Sequence, residues 1–456
     1  MNRPAAPYEH ARVTRSAPTP RRGRALLTAG GVVVLAAALL AAGTAFGGPR
    51  GAPDAPPAVS GPAPVRAGAS LAATIDALQA GLRRVPANDA AWAQLGAAYV
   101  QQVRLTADPG LYAKADGAFA ESLRLRPADN DAALAGQAAL AASRHEFARA
   151  VELCDSALAV NPYSPAALAV KVDGLTELGR YDQARTVLQQ LLDLRPGVDA
   201  FTRASYAQEL RGDTAGARAA LQQALALASA PADRAFAHHY LGELAWAAGD
   251  PATAGREYDA ALAADPTSVA PLTGRAKVKA QRGDLDGAIA DYRAAVRQQP
   301  QPATLLELGE LLQSQGRTAE ADQQYAVLRA TQQLYAASGQ DVDTELALFE
   351  ADHGDPALAV TLAARAHAAR PDSIVTQDAY AWALHAAGRD AEALPLAQAA
   401  VRTGLRSAPF RYHLGVIEAA LGDRAAARAD LTAALAVDGW NPLQAPAART
   451  LLAGLG

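Results

Sequence analysis

The chain of 456 residues holds one cysteine and one methionine, and aromatic side chains make up only 5% of it. A lone thiol, Cys154, excludes any disulfide within the chain, and so few thiols suit an oxidising location. Its place in the repeat described below marks it as a small buried hydrophobe. Signatures of catalysis are missing as well. There is no His-Glu-x-x-His zinc helix, no Gly-rich phosphate loop ending in Lys-Ser/Thr, and no Gly-x-Ser-x-Gly elbow. The adjacent His238 and His239 would diverge by about 100° on a helix and cannot readily share one metal. The sequence therefore predicts no enzyme: no catalytic residue, no cofactor, no metal and no small-molecule substrate.

What is present is an apolar half dominated by alanine, with few strand-forming Ile and Thr, which points to closely packed helices and an all-α fold. Charge is unevenly spread. Residues 1–66 carry eight arginines against Glu9 and Asp54, a net of +6, and the remainder carries a net of −10. An acidic body argues against nucleic acid as the partner.

Four segments are expected. Residues 1–24 form a basic tail, with Arg21, Arg22 and Arg24 at its end. Residues 25–47 contain a charge-free run, Ala25 to Phe46, long enough at about 1.5 Å per residue to cross a bilayer core of about 30 Å. The arginines ahead of it would hold the N-terminus in the cytoplasm and send the rest outward. Two readings of this run stand: an uncleaved transmembrane anchor, or an export signal cut near Gly43-Thr44-Ala45. Residues 48–69, rich in Pro, Ala and Gly, read as an extended spacer, and residues 70–456 as the folded array.

The array repeats itself. Gly179, Gly212, Gly249, Gly283, Gly316, Gly354, Gly388 and Gly422 recur at helix-hairpin spacing, and five residues after each stands an alanine, Ala184 to Ala427. One helical turn further come Leu188, Leu221, Tyr258, Tyr292, Tyr325, Ala363, Ala397 and Leu431, predicted to point into one core. The glycine ends one helix, and the alanine lets the next approach closely. Pro127, Pro162, Pro196, Pro266, Pro300 and Pro371 close several units. In the second unit Arg144-His145 stands where glycine is expected, and extra residues occur around Leu105–Leu111, Ala228–Asp233 and Thr331–Gln340. Leu71 to Val85 reads as a lead-in helix and Ala445 to Leu455 as a cap.

Trp92, Leu95, Gly96 and Tyr99, with Ala254, Tyr258, Ala261 and Pro266 and again Ala288, Tyr292, Ala295 and Pro300, resemble the two helices of the tetratricopeptide repeat. The resemblance covers roughly residues 89–440. It implies a right-handed α-solenoid of about ten helix-turn-helix units, whose first helices line a concave groove, and it implies protein binding as the function. On that register the groove residues are Tyr206, Phe236, His239, Tyr240, Glu243 and Trp246 in units four and five, with Asp173, Glu177 and Glu209 just before them. Asp378, Trp382, His385, Tyr412 and His413 fall there in the last two units, with Glu307, Glu310 and Glu345 upstream. Rings beside carboxylates fit a peptide hot spot, and equally fit packing between neighbouring helices.

The expectation is thus a non-catalytic scaffold that binds a protein or peptide segment outside the cytoplasmic membrane, held there by the N-terminal helix or exported. The alternative is an accessory subunit of a membrane or envelope-assembly enzyme. Capture of chaperone tails through a Lys and Asn clamp does not fit. The chain has four lysines, Lys114, Lys171, Lys277 and Lys279, and no asparagine in the inferred groove.

Overall fold

The computed structural model describes residues 71–438 and 441–455. The predicted tail, membrane segment and spacer lie outside them. Among the described residues there are 22 helices and no strand, and no helix is long and apolar enough to cross a membrane.

The lead-in helix α1 (Leu71–Arg84) opens the array, followed in unit one by α2 (Asp89–Thr106) and α3 (Leu111–Leu125). Units two and three are α4 (Asp131–Ser143) with α5 (Phe147–Val160), and α6 (Pro165–Glu177) with α7 (Tyr181–Leu194). Units four and five are α8 (Val198–Glu209) with α9 (Thr214–Leu227), and α10 (Pro231–Ala247) with α11 (Pro251–Ala264). Units six and seven are α12 (Ala270–Gln281) with α13 (Leu285–Gln298), and α14 (Pro302–Ser314) with α15 (Thr318–Ala337). Units eight to ten are α16 (Asp343–His353) with α17 (Pro356–Ala369), α18 (Ile374–Ala386) with α19 (Asp390–Ala400), and α20 (Ala408–Ala420) with α21 (Arg424–Val437). The cap is α22 (Gln444–Gly454). The expected ten hairpins, lead-in helix and cap are all present.

The hairpin turn follows from the Gly-Asp dipeptide. Gly212, Gly249, Gly283 and Gly422 take φ between 75° and 86°, ending the first helix, and the next residue caps the second. Asp213, Asp250, Asp284 and Asp423 accept from the backbone N–H three residues on, at 2.8, 2.9, 3.0 and 3.1 Å. Gly354 departs from the series: its φ is −143°, and the following amide donates to Glu350 Oε2 at 3.0 Å. In unit two His145 itself adopts the left-handed turn, with φ 62°. The extra residues form turns and loop at 107–110 and 228–230 and elsewhere lengthen helices. They carry α2 on to Thr106 and α15 on to Ala337.

The repeated alanines and the residues one turn after them are all buried, as the register predicts. A small residue in one first helix accommodates a large one from a second helix. Phe119 of α3 fills the space beside Gly96 and Gly136, where an added Cβ would lie 2.6 and 2.2 Å from the ring. Tyr258 occupies the same place between Gly242 and Gly274. Each ring thus seals the joint between two successive first helices, and Cys154 is fully buried at the corresponding place in α5. Burial pushes its thiol up to about 12.

The array does not end as an open coil. It winds round until its later units lie against its earlier ones. The Asp341 amide donates to Arg144 O at 2.9 Å, and His145 Nδ1 lies 2.8 Å from Asp341 O. Gln299 Nε2 donates to Arg104 O at 2.7 Å, and the Ile374 amide donates to the Tyr181 hydroxyl at 3.2 Å. Tyr206 and Leu210 share an apolar cluster with Ile374, Ala400 and Phe410, which joins unit four to units nine and ten.

Candidate inner-wall site

The closure decides which of the expected groove residues a ligand could reach. Tyr206 is buried under Ile374 and Phe410. Asp378, Trp382 and Tyr412 are 2%, 1% and 2% exposed, so they form a core within units nine and ten. There Trp382 stacks on His413 at 4.1 Å and 15° and on His385 at 4.9 Å and 25°. Its indole N–H donates to Asp352 Oδ1 at 2.8 Å, and Asp378 is 2.9 Å from His413 Nδ1. These rings pack between neighbouring helices, one of the two readings open to them, with Ala448 of the cap in the same cluster.

His239 and Tyr240 are buried as well. Their rings lie 5.0 Å apart, and Phe236, which is half-buried, lies 4.7 Å from Tyr240. His238 does not join them: its Nδ1 is 2.8 Å from Glu257 Oε2. Among the described residues no group of three metal-ligating side chains comes together.

Glu243 and Trp246 remain half-buried and do meet across an open space. They line a cavity of about 130 Å³ with Glu209, Lys277, Glu307 and Glu310. Leu405, Pro409, Val437 and Pro442 close its far side. Glu243 accepts from the Tyr258 hydroxyl at 2.7 Å and from the Lys277 ammonium at 3.2 Å. The same ammonium lies 5.7 Å from the Trp246 ring. Burial pushes Glu209 and Glu307 up to about 7, and neighbouring carboxylates add to both shifts. Glu243 is held below the usual carboxylate range although burial opposes it, because Lys277, His239 and Tyr258 favour its charged form.

Two other carboxylates of the inner wall have cationic partners, whereas Glu345 Oε2 is buried and accepts no hydrogen bond. Asp173 and Arg203 form a buried two-pronged pair at 2.8 and 2.7 Å. Arg370 of the later turn stands 3.6 Å from Glu177, whose carboxyl burial pushes up to about 7. Lys277 carried a signal that the register reading passed over, since it occupies the position of Glu243 one repeat earlier and Glu310 one repeat later. Arg370, Tyr181 and the far wall of the cavity carried none, because their neighbours lie across the turn.

Comparison with known proteins agrees with the repeat. Tetratricopeptide repeat models match residues 139–204, and residues 211–269, 239–303 and 273–334. No curated protein matches the chain. Solved structures similar to it include the Cut9–Hcn1 hetero-tetramer of the APC/C, at 14% identity over 84% of this chain and 93% of that one, TM-score 0.39. They include a thermophilic repeat protein of Thermus thermophilus, at 23% identity over 42% of this chain and 98% of that one, TM-score 0.37. A repeat protein of Parabacteroides merdae is similar at 19% identity over 57% and 98%, TM-score 0.32. The family matched over residues 139–204 and 211–334 is the tetratricopeptide repeat, the one that the motif residues resemble.

Proposed function

We propose that this chain is a non-catalytic scaffold that holds a protein segment against the inner wall of its repeat array. Tetratricopeptide repeats generally mediate protein association, and hairpins take up residues 89–437. The observation that carries the reading is the half-buried pair Glu243 and Trp246, which lines a cavity in the inner wall. An aromatic that is already partly desolvated and held by its neighbours binds at low entropic cost. The proposed setting is the outer side of a cytoplasmic membrane, with the charge-free run from Ala25 to Phe46 as anchor or cleaved signal. An accessory role in an envelope-assembly complex is the same activity with an enzyme as the partner.

A photo-crosslinker placed at Glu243 in the full chain, in its native membrane, is expected to trap a discrete partner, and Trp246→Ala to reduce the yield several-fold with an unchanged melting temperature. Equal trapping by the variant would remove this wall as the site. N-terminal sequencing of the mature protein settles the setting, since a new terminus near Phe46 would end the anchor reading.

A further inference from the structure

The later turn meets the first unit over another cavity, of about 150 Å³, and the charged groups round it divide into two ends. At one end Glu177 stands 3.6 Å from Arg370, and its carboxyl, pushed up by burial, is pushed further by Asp173 and Glu345. At the other end is Arg104, half-buried, whose side chain makes no hydrogen bond or ion pair among the described residues. Burial pulls its guanidinium down to about 10, and Asp173, the carboxylate that opposes this, is already held by Arg203 in the two-pronged pair. A cation in the last turn of a helix is favourable on its own account. That explains an arginine at this place in α2, but not why it lines a cavity without a partner.

Two further donors belong to the same end. The Tyr112 hydroxyl lies 3.0 Å from Ser143 O and 3.2 Å from Gln340 Oε1, which leaves the Gln340 amide nitrogen without an acceptor. Tyr335 is 7% exposed and lines the cavity, and its hydroxyl makes no hydrogen bond. Burial pushes the Tyr112 hydroxyl up to about 12, Tyr335 adds to the shift, and Arg104 and Arg144 oppose it, so these polar heads share one neighbourhood. Buried donors without acceptors are costly, and a charged oxygen satisfies them best. A cavity of this size admits a molecule of about six non-hydrogen atoms.

We infer that this cavity holds a small oxyanion, a phosphate or a carboxylate, on the Arg104 guanidinium, with the Tyr335 hydroxyl and the Gln340 amide as further donors. Arg104 belongs to the first unit, and Tyr335 and Gln340 to the end of the seventh, so the bound anion clasps the two turns together. The site is separate from the wall beside Trp246 and does not depend on the function proposed above.

Titration calorimetry on the purified full chain tests it with inorganic phosphate and with sodium acetate, at an ionic strength held constant by sodium chloride, and with acetamide as the neutral control. Saturable binding of at least one anion is expected, with a Kd of about 1 mM or tighter. Phosphate alone marks a tetrahedral ion as the occupant, acetate alone a planar one, and binding of both marks charge as the property read. Binding of neither, or equal binding of acetamide, overturns the inference. Arg104→Met keeps the apolar stem and should weaken binding at least tenfold. Because the cation it removes has no partner, the variant should also melt no lower than the parent when no anion is added. Tyr335→Phe should weaken binding several-fold. Unchanged affinity in either variant overturns the assignment, as does a lower melting temperature for Arg104→Met, which would give Arg104 a partner within the fold. The clasp has its own readout, since the anion should slow exchange of the Asp341 amide, which donates across the seam to Arg144 O. Equal exchange with and without the anion would place it on Arg104 alone and overturn the clasp.

Discussion

Glu177, Glu209 and Glu307 stand on the inner sides of three first helices, and burial pushes each carboxyl up to about 7. In an unfolded chain a glutamate titrates near 4.3. Between those values the folded molecule holds more protons than the unfolded one, so its stability rises as pH falls from 8 towards 5 and is lost as pH climbs through about 7. The three groups together are expected to supply about 1–3 kcal/mol over that window, an amount kept low because none is fully sealed from solvent. Melting curves at pH 6 and pH 8 check this, with the triple variant Glu177→Gln, Glu209→Gln, Glu307→Gln as reference. The variant should lose most of the difference, and an identical difference in both chains would show that other groups set it. The sequence placed these residues on the inner face through their spacing. It could not show how deeply each is covered, because that depends on side chains from the far wall.

At the scale of helices the sequence was most readable. A hairpin is a local object, and its signals lie within one repeat: the Gly-Asp turn, the alanine that permits close approach, and the ring that fills the gap it leaves. The lead-in helix and the cap could be foreseen for the same reason, since a terminal unit has an apolar side in need of cover. The inserted residues were ambiguous, because extra turns of helix and extra loop differ little in composition. Nearest-neighbour packing also sets how far damage travels. Ala448 of α22 is 1% exposed against Ala427, Leu431 and Ala434 of α21. Ala448→Glu should therefore loosen α20 to α22 while α2 to α7 keep their amide protection in hydrogen exchange. Loss of protection spread evenly along the chain would contradict stacking that is stabilised unit by unit.

The winding of the whole array was the least readable feature, because a small rotation per unit accumulates over several units before its consequence appears. Contacts such as Tyr181 with Ile374 join residues 193 apart, and no repeat signal specifies them. They explain why Tyr206, expected in the groove, is a buried residue packed against the later turn. Two turn glycines allow the closure to be tested apart from the turn itself. Gly179 and Gly388 have nearly the same backbone, φ 76° and 75°, so alanine at either incurs the same left-handed strain of about 1 kcal/mol. Around Gly388 an added Cβ meets nothing within 4 Å, whereas at Gly179 it would lie 2.1 Å from Asp372 O of the later turn. Gly179→Ala is therefore expected to cost about 1–3 kcal/mol more than Gly388→Ala. It should also speed exchange of the Ile374 amide and enlarge the radius of gyration in solution scattering. Matching stability and scattering for the two variants would mean that the turns do not touch in solution, and the inner wall would then be open along its whole length.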